Sequence, residues 1–396
     1  MVQFALWALA LGALAGRTSA VAIDGQSAQS RPRQLDCTGV NAININCKSQ
    51  EAPYHRDFFY VGGRSVNAST GTLTVDQIYV EKLTPTLSEH KPNPIVFIHG
   101  GGVSGSTWLN TPDNREGWAT YFTKQGYVVY LLDANAIGRS AENDLTNFTT
   151  IPGTSNENVE IGFTAVGLYN YYPQSALHTQ WPGSGQNGDP VFDQFKKSFI
   201  PLTSPYVAQE TAMRASGCEL LSLLGANAYI ISHSLGARYS VLMSNDCPQY
   251  IAASINIEPA TVPFWGYGYG LGGNPSTPWG LTWTALDYVP AIANSFELQT
   301  ESVGNETMAK RNCYRQKEPA RQLPNISSVP YLMVTAEASL HITYDHCIID
   351  YLKQVGGSPD WIKLSDVGIK GNAHFMHIEK NNLEIAAVVE GWIEAH

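Results

Sequence analysis

The sequence predicts an α/β protein built on an open, mostly parallel sheet with helices on both faces, and three observations carry that expectation. Short, wholly apolar runs recur at 95–98 and 127–132, and unbroken apolar runs of this length mark strands covered on both sides. Helix-compatible segments stand between and after them, at about 114–125 and 207–224, which is the alternation of βα units. Finally, Ala228-Tyr229-Ile230-Ile231 breaks into Ser232-His233-Ser234-Leu235-Gly236 and a helix-like stretch. A strand that turns so sharply into a helix leaves a hydroxyl exposed above the sheet.

The elements follow in order. The chain opens with an apolar run over 4–15 and small residues at Ala20-Val21-Ala22, the layout of a cleavable signal peptide over 1–22. A retained anchor is the rival, but a spanning helix needs about 20 apolar residues and this run is shorter. Residues 23–73 read as a polar arm and first strands, with alternating apolar residues around 57–61 and 73–83, as in antiparallel strands that open a sheet. The main domain is expected over 74–396. Its regular pattern is interrupted twice, at about 141–206 and 260–329, by long aromatic, Gly- and Pro-rich stretches. Segments this long without periodicity are more often functional insertions than linkers. Strands are expected at 251–257, 331–334 and 361–364, and helices at 237–245, 342–355 and 382–394.

Composition narrows the functional class. A net charge of −10 with no Lys/Arg run argues against nucleic acid or an anionic membrane as partner. Six cysteines, an even number, suit an oxidising compartment. Pairing Cys37 with Cys47, Cys218 with Cys247 and Cys313 with Cys347 would tie neighbouring segments together; buried free thiols are the alternative. None has the CxxC spacing of a zinc or redox site. Sequons at Asn67, Asn147, Asn305 and Asn325 agree with secretion and glycosylation.

The chemistry is expected at Ser234. A serine hydroxyl needs a base to take its proton, and the base needs an acid to fix its tautomer. His374, in Gly371-Asn372-Ala373-His374 before the last helix, is the candidate base, with His377 as rival. His99 and His233 are read as loop supports, and His341 has no motif context. Two carboxylates compete for the acid: Glu258 ends the strand after the elbow helix, and Glu337 follows the next strand. Asp366 reads as a loop or capping residue. An oxyanion hole needs backbone N–H groups aimed at developing charge; His99-Gly100-Gly101-Gly102 supplies one donor from Gly101 or Gly102, and Leu235 the other. No metal or cofactor is called for.

Together these residues resemble the α/β-hydrolase superfamily over roughly 75–396, and within it the secreted hydrolases typified by esterase 713. The resemblance rests on the His-Gly loop followed by Gly105-Ser106-Thr107-Trp108, on Thr111-Pro112-Asp113-Asn114-Arg115-Glu116-Gly117-Trp118, and on Gly371-Asn372-Ala373-His374 with Asn381-Asn382. It implies an α/β-hydrolase fold with two cap-like insertions, and it favours Glu258 over Glu337 as the acid. The chain departs from the group at Ser232, where the elbow usually has Gly, and at Gly101-Gly102, where cysteines are expected.

The resulting expectation is a secreted serine hydrolase of small-molecule carboxylic esters or lactones, without a stable membrane anchor; the oligomeric state stays open. Trp181, Tyr206, Trp265, Tyr267, Tyr269, Trp279 and Trp283 are expected to roof a moderately large apolar pocket. The alternatives are a biosynthetic enzyme that rearranges or cyclises a secondary metabolite with the same triad, and a non-catalytic binding protein on this fold.

Overall fold

A computed structural model describes residues 35–146 and 148–396. The expected signal peptide and the sequon at Asn147 lie outside them. Eight strands form the central sheet: β1 (Tyr54–Ala68), β2 (Gly71–Pro85), β3 (Ile95–Ile98), β4 (Val129–Asp133), β5 (Ala228–His233), β6 (Ile251–Ile257), β7 (Tyr331–Thr335) and β8 (Asp360–Lys363). They lie in the order β1-β2-β4-β3-β5-β6-β7-β8. The β1–β2 and β2–β4 pairs are antiparallel and the remaining pairs parallel. The two alternating segments at the start are longer than the sequence pattern suggests, because one hairpin pairs Tyr54 with Pro85 at its base and Ala68 with Gly71 at its tip.

The apolar runs are strands because both of their faces are covered. All of β3 and β4 is buried. One face packs on α2 (Tyr206–Leu223), α3 (Ala237–Asp246) and α4 (Asp345–Gln354), through Met213, Leu220, Leu242, Ile348 and Leu352. The other face packs on α1 (Trp118–Lys124) and α5 (Asn382–Ala395) through Trp118, Phe122, Ile385 and Val389. Each such side chain contributes about 2 kcal/mol by leaving water.

Two helices start later than periodicity suggests, in each case because side chains fold the preceding residues into a turn. Thr111 and Arg115 close a loop before α1, with Arg115 N–H donating to Thr111 Oγ1 at 2.9 Å. Ser339 Oγ accepts from His341 N–H and caps a single turn, Leu340–Thr343, before α4.

The three disulfides are Cys37–Cys47, Cys218–Cys247 and Cys313–Cys347. The second ties α2 to the end of α3 and the third ties a hairpin of the second interrupting stretch to α4. Asn67 and Asn305 are exposed, whereas Asn325 is half-buried with its Nδ2 donating to Asn245 O at 2.7 Å. The nitrogen a glycan would need at Asn325 is therefore already engaged. Among the described residues no helix is long and apolar enough to cross a membrane.

Candidate active site

The parallel strands carry their carboxyl ends to one edge, and the candidate residues gather there. Strand β5 stops at His233, Ser234–Gly236 form a single tight turn, and α3 follows. Ser234 sits at φ 52°, a left-handed conformation that costs a non-glycine residue about 1–3 kcal/mol and is tolerated where the surroundings enforce it. The enforcement is visible. A Cβ at Gly236 would fall 2.4 Å from His99 O, so only glycine lets the elbow press against the end of β3. Ser232, where glycine is usual, fits because its Oγ donates to Asn256 Oδ1 at 2.8 Å inside the sheet.

His374 Nδ1 lies 2.7 Å from Glu258 Oε2, and both residues are buried. Glu258 turns out of β6 at φ 46°, and its carboxylate also accepts from Ala336 N–H (2.8 Å) and Ser339 Oγ–H (2.7 Å). Burial raises its pKa against the pull of His341 and these donors. Glu337 is elsewhere: its Oε2 accepts from Gly371 N–H at 3.0 Å, so it shapes the histidine loop rather than meeting the imidazole. Asp366 lies within a short turn, Leu364–Val367, after β8.

The rival histidine is spoken for. His377 Nε2 pairs with Thr107 Oγ1 at 3.0 Å, and its ring lies against Trp108. His233 Nε2 holds His374 O at 3.0 Å, which pins the histidine loop to the residue before Ser234. His99 Nε2 accepts from Ala134 N–H at 3.0 Å. Burial lowers the pKa of His233, His377 and His99 alike, so these supports are neutral.

Sequence reasoning missed His341 and Asp345. The His341 ring stacks on His374 at 4.8 Å and 8° between planes, and its Nδ1 meets Asp345 Oδ1 at 2.9 Å. Burial alone would lower His341, but Asp345 and Glu258 outweigh it and raise its pKa. His374, by contrast, is held well below the usual histidine value by burial and then by His341. The only available signal was position, since Ser339 and His341 directly follow the end of β7. Phe163 was missed too. It comes from a π-helical turn, Glu160–Thr164, and stacks on His374 at 5.2 Å.

Glu258, His341 and His374 place ligand atoms within 4.8 Å of one another. Of these, His374 Nδ1 is engaged by Glu258 and His341 Nδ1 by Asp345. The sulfurs of Cys313 and Cys347 beside His346 are joined to each other, so they offer no thiolate.

The glycine loop faces the elbow. The N–H groups of Gly101, Gly102 and Leu235 donate to no partner among the described residues, and Gly102 takes φ 76°. Of the seven aromatics expected over a pocket, Tyr206 alone lines the cavity beside this loop. Trp265 and Tyr267 instead stack on Tyr314 and Tyr344, Trp181 packs on Phe195, Tyr269 lies against Tyr171, Trp283 against Tyr206, and Trp279 joins the core.

Arg115 explains why the stretch around it accompanies the histidine loop. Its guanidinium donates to the carbonyls of Ile378 (2.8 Å), Glu379 (3.0 Å) and Lys380 (3.2 Å) and to Asn382 Oδ1 (3.1 Å). Arg115→Ala should therefore cost about 2–3 kcal/mol of stability through lost charge-assisted hydrogen bonds, read as a lowered urea midpoint, and should reduce kcat because the His374 loop loosens. An unchanged midpoint would mean that the loop holds itself.

No protein-family model matches the chain. It is 39% identical over 364 residues to the probable secreted lipase phiG of a fungal species (strain ATCC 74256), covering 89% of this chain and 96% of the relative. A novel bacterial esterase of known structure superposes with a TM-score of 0.54 at 24% identity, over 88% of this chain and 98% of the other. The central sheet, the strand–Ser–helix turn and this likeness agree: the chain belongs to the α/β-hydrolase superfamily and, within it, to the family of carboxylic ester hydrolases that includes this secreted lipase.

Proposed function

We propose that the protein is a secreted serine hydrolase that cleaves small-molecule carboxylic esters or lactones through Ser234, His374 and Glu258. The observation that carries this reading is the buried 2.7 Å contact between His374 Nδ1 and Glu258 Oε2, on a loop fastened to the residue before Ser234. That contact fixes the proton on Nδ1 and leaves Nε2 as the base. Ser234 Oγ attacks the carbonyl carbon while its proton passes to His374 Nε2. The oxyanion forms against the N–H of Leu235 and of Gly101 or Gly102, where each donor is worth about 3 kcal/mol. His374 then protonates the leaving alcohol, and water, activated by the same imidazole, releases the acid and restores the serine. The three disulfides and the secreted relative support an extracellular enzyme.

The test is hydrolysis of p-nitrophenyl esters with a stoichiometric burst of p-nitrophenol, together with fluorophosphonate labelling of Ser234. Folded protein that neither labels nor hydrolyses any ester would overturn the reading.

The pH profile follows from the base. His374 works only when neutral, so kcat/KM falls as pH drops through its pKa. Burial and His341 place that pKa well below the usual value of 6.5. The plateau of kcat/KM should therefore extend through pH 6.5, with the acid limb on the more acidic side. An acid limb centred at pH 7 or above would contradict this environment.

A further inference from the structure

A pocket of about 180 Å³ opens against the glycine loop and the elbow, bounded by Gly101, Gly102 and Leu235 at one end. Ile137, Ile151, Leu202, Tyr206 and Tyr239 give it an apolar wall, while Thr203 and Gln209, which also line it, already donate to Ala136 O and Asn135 O. Its volume is below the 300 Å³ or so of an ordinary drug-sized ligand site, so it suits a short chain. Gly100 joins this pocket to the nucleophile, since a Cβ there would lie 3.2 Å from Ser234 Cβ. A group bound in it would therefore be attached at or near the carbonyl under attack.

Arg238 also lines this pocket, and it is only 2% exposed. A guanidinium has five N–H donors. Its hydrogen bonds to the chain are long, Nε to Leu235 O at 3.4 Å and Nη1 to Glu210 Oε1 at 3.5 Å, and the Tyr239 hydroxyl of the pocket wall also interacts with it. Tyr206 covers one face of it at 4.2 Å. Glu210 is not free to close on it. That carboxylate is held from the other side by the N–H groups of Trp283 and Thr284 and by Thr284 Oγ1, at 2.7–3.1 Å. A buried cation with uncommitted donors costs free energy unless something supplies acceptors. Arg115, by contrast, commits its guanidinium to shorter bonds with the histidine loop. Arg238 is one helical turn beyond Leu235, about 4.5–5 Å along α3.

We propose that Arg238 forms the end of an acyl-binding subsite, and that the enzyme prefers esters whose short acyl chain carries a hydrogen-bond-accepting oxygen on the carbon about four bonds from the scissile carbonyl carbon. The accepting oxygen belongs to a ketone or to a carboxylate. Neighbouring Glu210 balances the guanidinium charge, so a neutral ketone adds no net charge to the pocket, whereas a carboxylate tests how far that balance reaches. The proposal rests on the ester-hydrolase reading of Ser234. It narrows the substrate from a generally apolar ester to one with a polar tip.

The experiment compares kcat/KM for methyl hexanoate, methyl 5-oxohexanoate and monomethyl glutarate, followed by pH-stat titration, in the wild type and in Arg238→Met. In the wild type, one or both oxygen-bearing esters should exceed hexanoate by about 10-fold or more, the discrimination expected when a buried donor would otherwise stay unpaired. Arg238→Met should cut that ratio by a similar factor. Removing one member of a buried pair can itself unfold a protein, so Arg238→Met/Glu210→Gln, which removes both charges, is measured alongside and should show the same loss of ratio. A ratio near one in the wild type, or one unaltered in both variants, overturns the subsite. Fluorophosphonate labelling separates the two layers. Labelled Ser234 with a flat ratio overturns the subsite alone, and folded protein with neither labelling nor hydrolysis overturns the reading of Ser234 and the subsite with it.

Discussion

Ser234→Ala is expected to lower kcat by roughly 10⁴- to 10⁶-fold, the range seen when a serine hydrolase loses its nucleophile, and to abolish fluorophosphonate labelling. The size of the effect follows from the role: Oγ is the atom that bonds to the acyl carbon, and the other elbow hydroxyl, on Ser232, is buried and committed to Asn256 Oδ1. The same change should leave the fold alone. Alanine keeps the Cβ, so the φ of 52° costs it about what it costs serine. Ser234 Oγ donates to no partner among the described residues, so its removal orphans no buried group. The urea midpoint should stay within about 0.5 kcal/mol of the wild type, as for substitutions that touch no buried network. An alanine variant that folds normally and still hydrolyses esters at more than a percent of the wild-type rate would remove Ser234 from the mechanism.

How much of this was legible in the sequence depends on how local each signal is. The runs at β3, β4 and β5 read correctly because a strand buried on both faces has no polar positions to confuse it. The strand–turn–helix elbow after β5 is legible because it is a short string with a mechanical reason for every residue. The residues alone leave the acid open, and only the resemblance favours Glu258. Glu258 and Glu337 follow two neighbouring parallel strands, β6 and β7, and only the backbone turn at Glu258, with φ 46°, sends its carboxyl to the imidazole. The role of His341 is hidden because its ring reaches His374 from a turn folded back across 33 residues of chain, and Asp345 meets only His341, from the first turn of α4. The aromatic-rich stretches misled for a related reason. Trp265 packs on Tyr314 of its own stretch, and Tyr267 packs on Tyr344 just before α4. The pocket wall comes instead from Ile137, from Ile151 and Leu202 of the first stretch, and from α2 and α3 through Tyr206, Arg238 and Tyr239.

Exchanging Glu258 for Gln should reduce kcat by about 10³- to 10⁴-fold, whereas Glu337→Gln should change it by less than about 5-fold. The asymmetry comes from counting donors. Glu258 receives three, from Ala336 N–H, Ser339 Oγ–H and His374 Nδ1–H. A carboxylate accepts on both oxygens, but an amide accepts on one and presents N–H on the other. Glutamine at 258 must therefore aim a donor at one of those three. If it faces His374, the imidazole flips its proton to Nε2 to accept at Nδ1, and Nε2 can then no longer take the serine proton. A wrong tautomer held in the right place costs about 10⁴ in kcat in serine proteases. Glu337 has no such conflict, because Gln can offer its Oε1 to Gly371 N–H and keep the 3.0 Å contact. KM should move little in either variant, since neither side chain lines the pocket at the glycine loop. Substantial loss in Glu337→Gln with normal activity in Glu258→Gln, both folded, would exchange the two assignments. Equal, small losses in both would mean that His374 keeps its tautomer without a carboxylate, with His341 and Asp345 beside it as the next groups to replace.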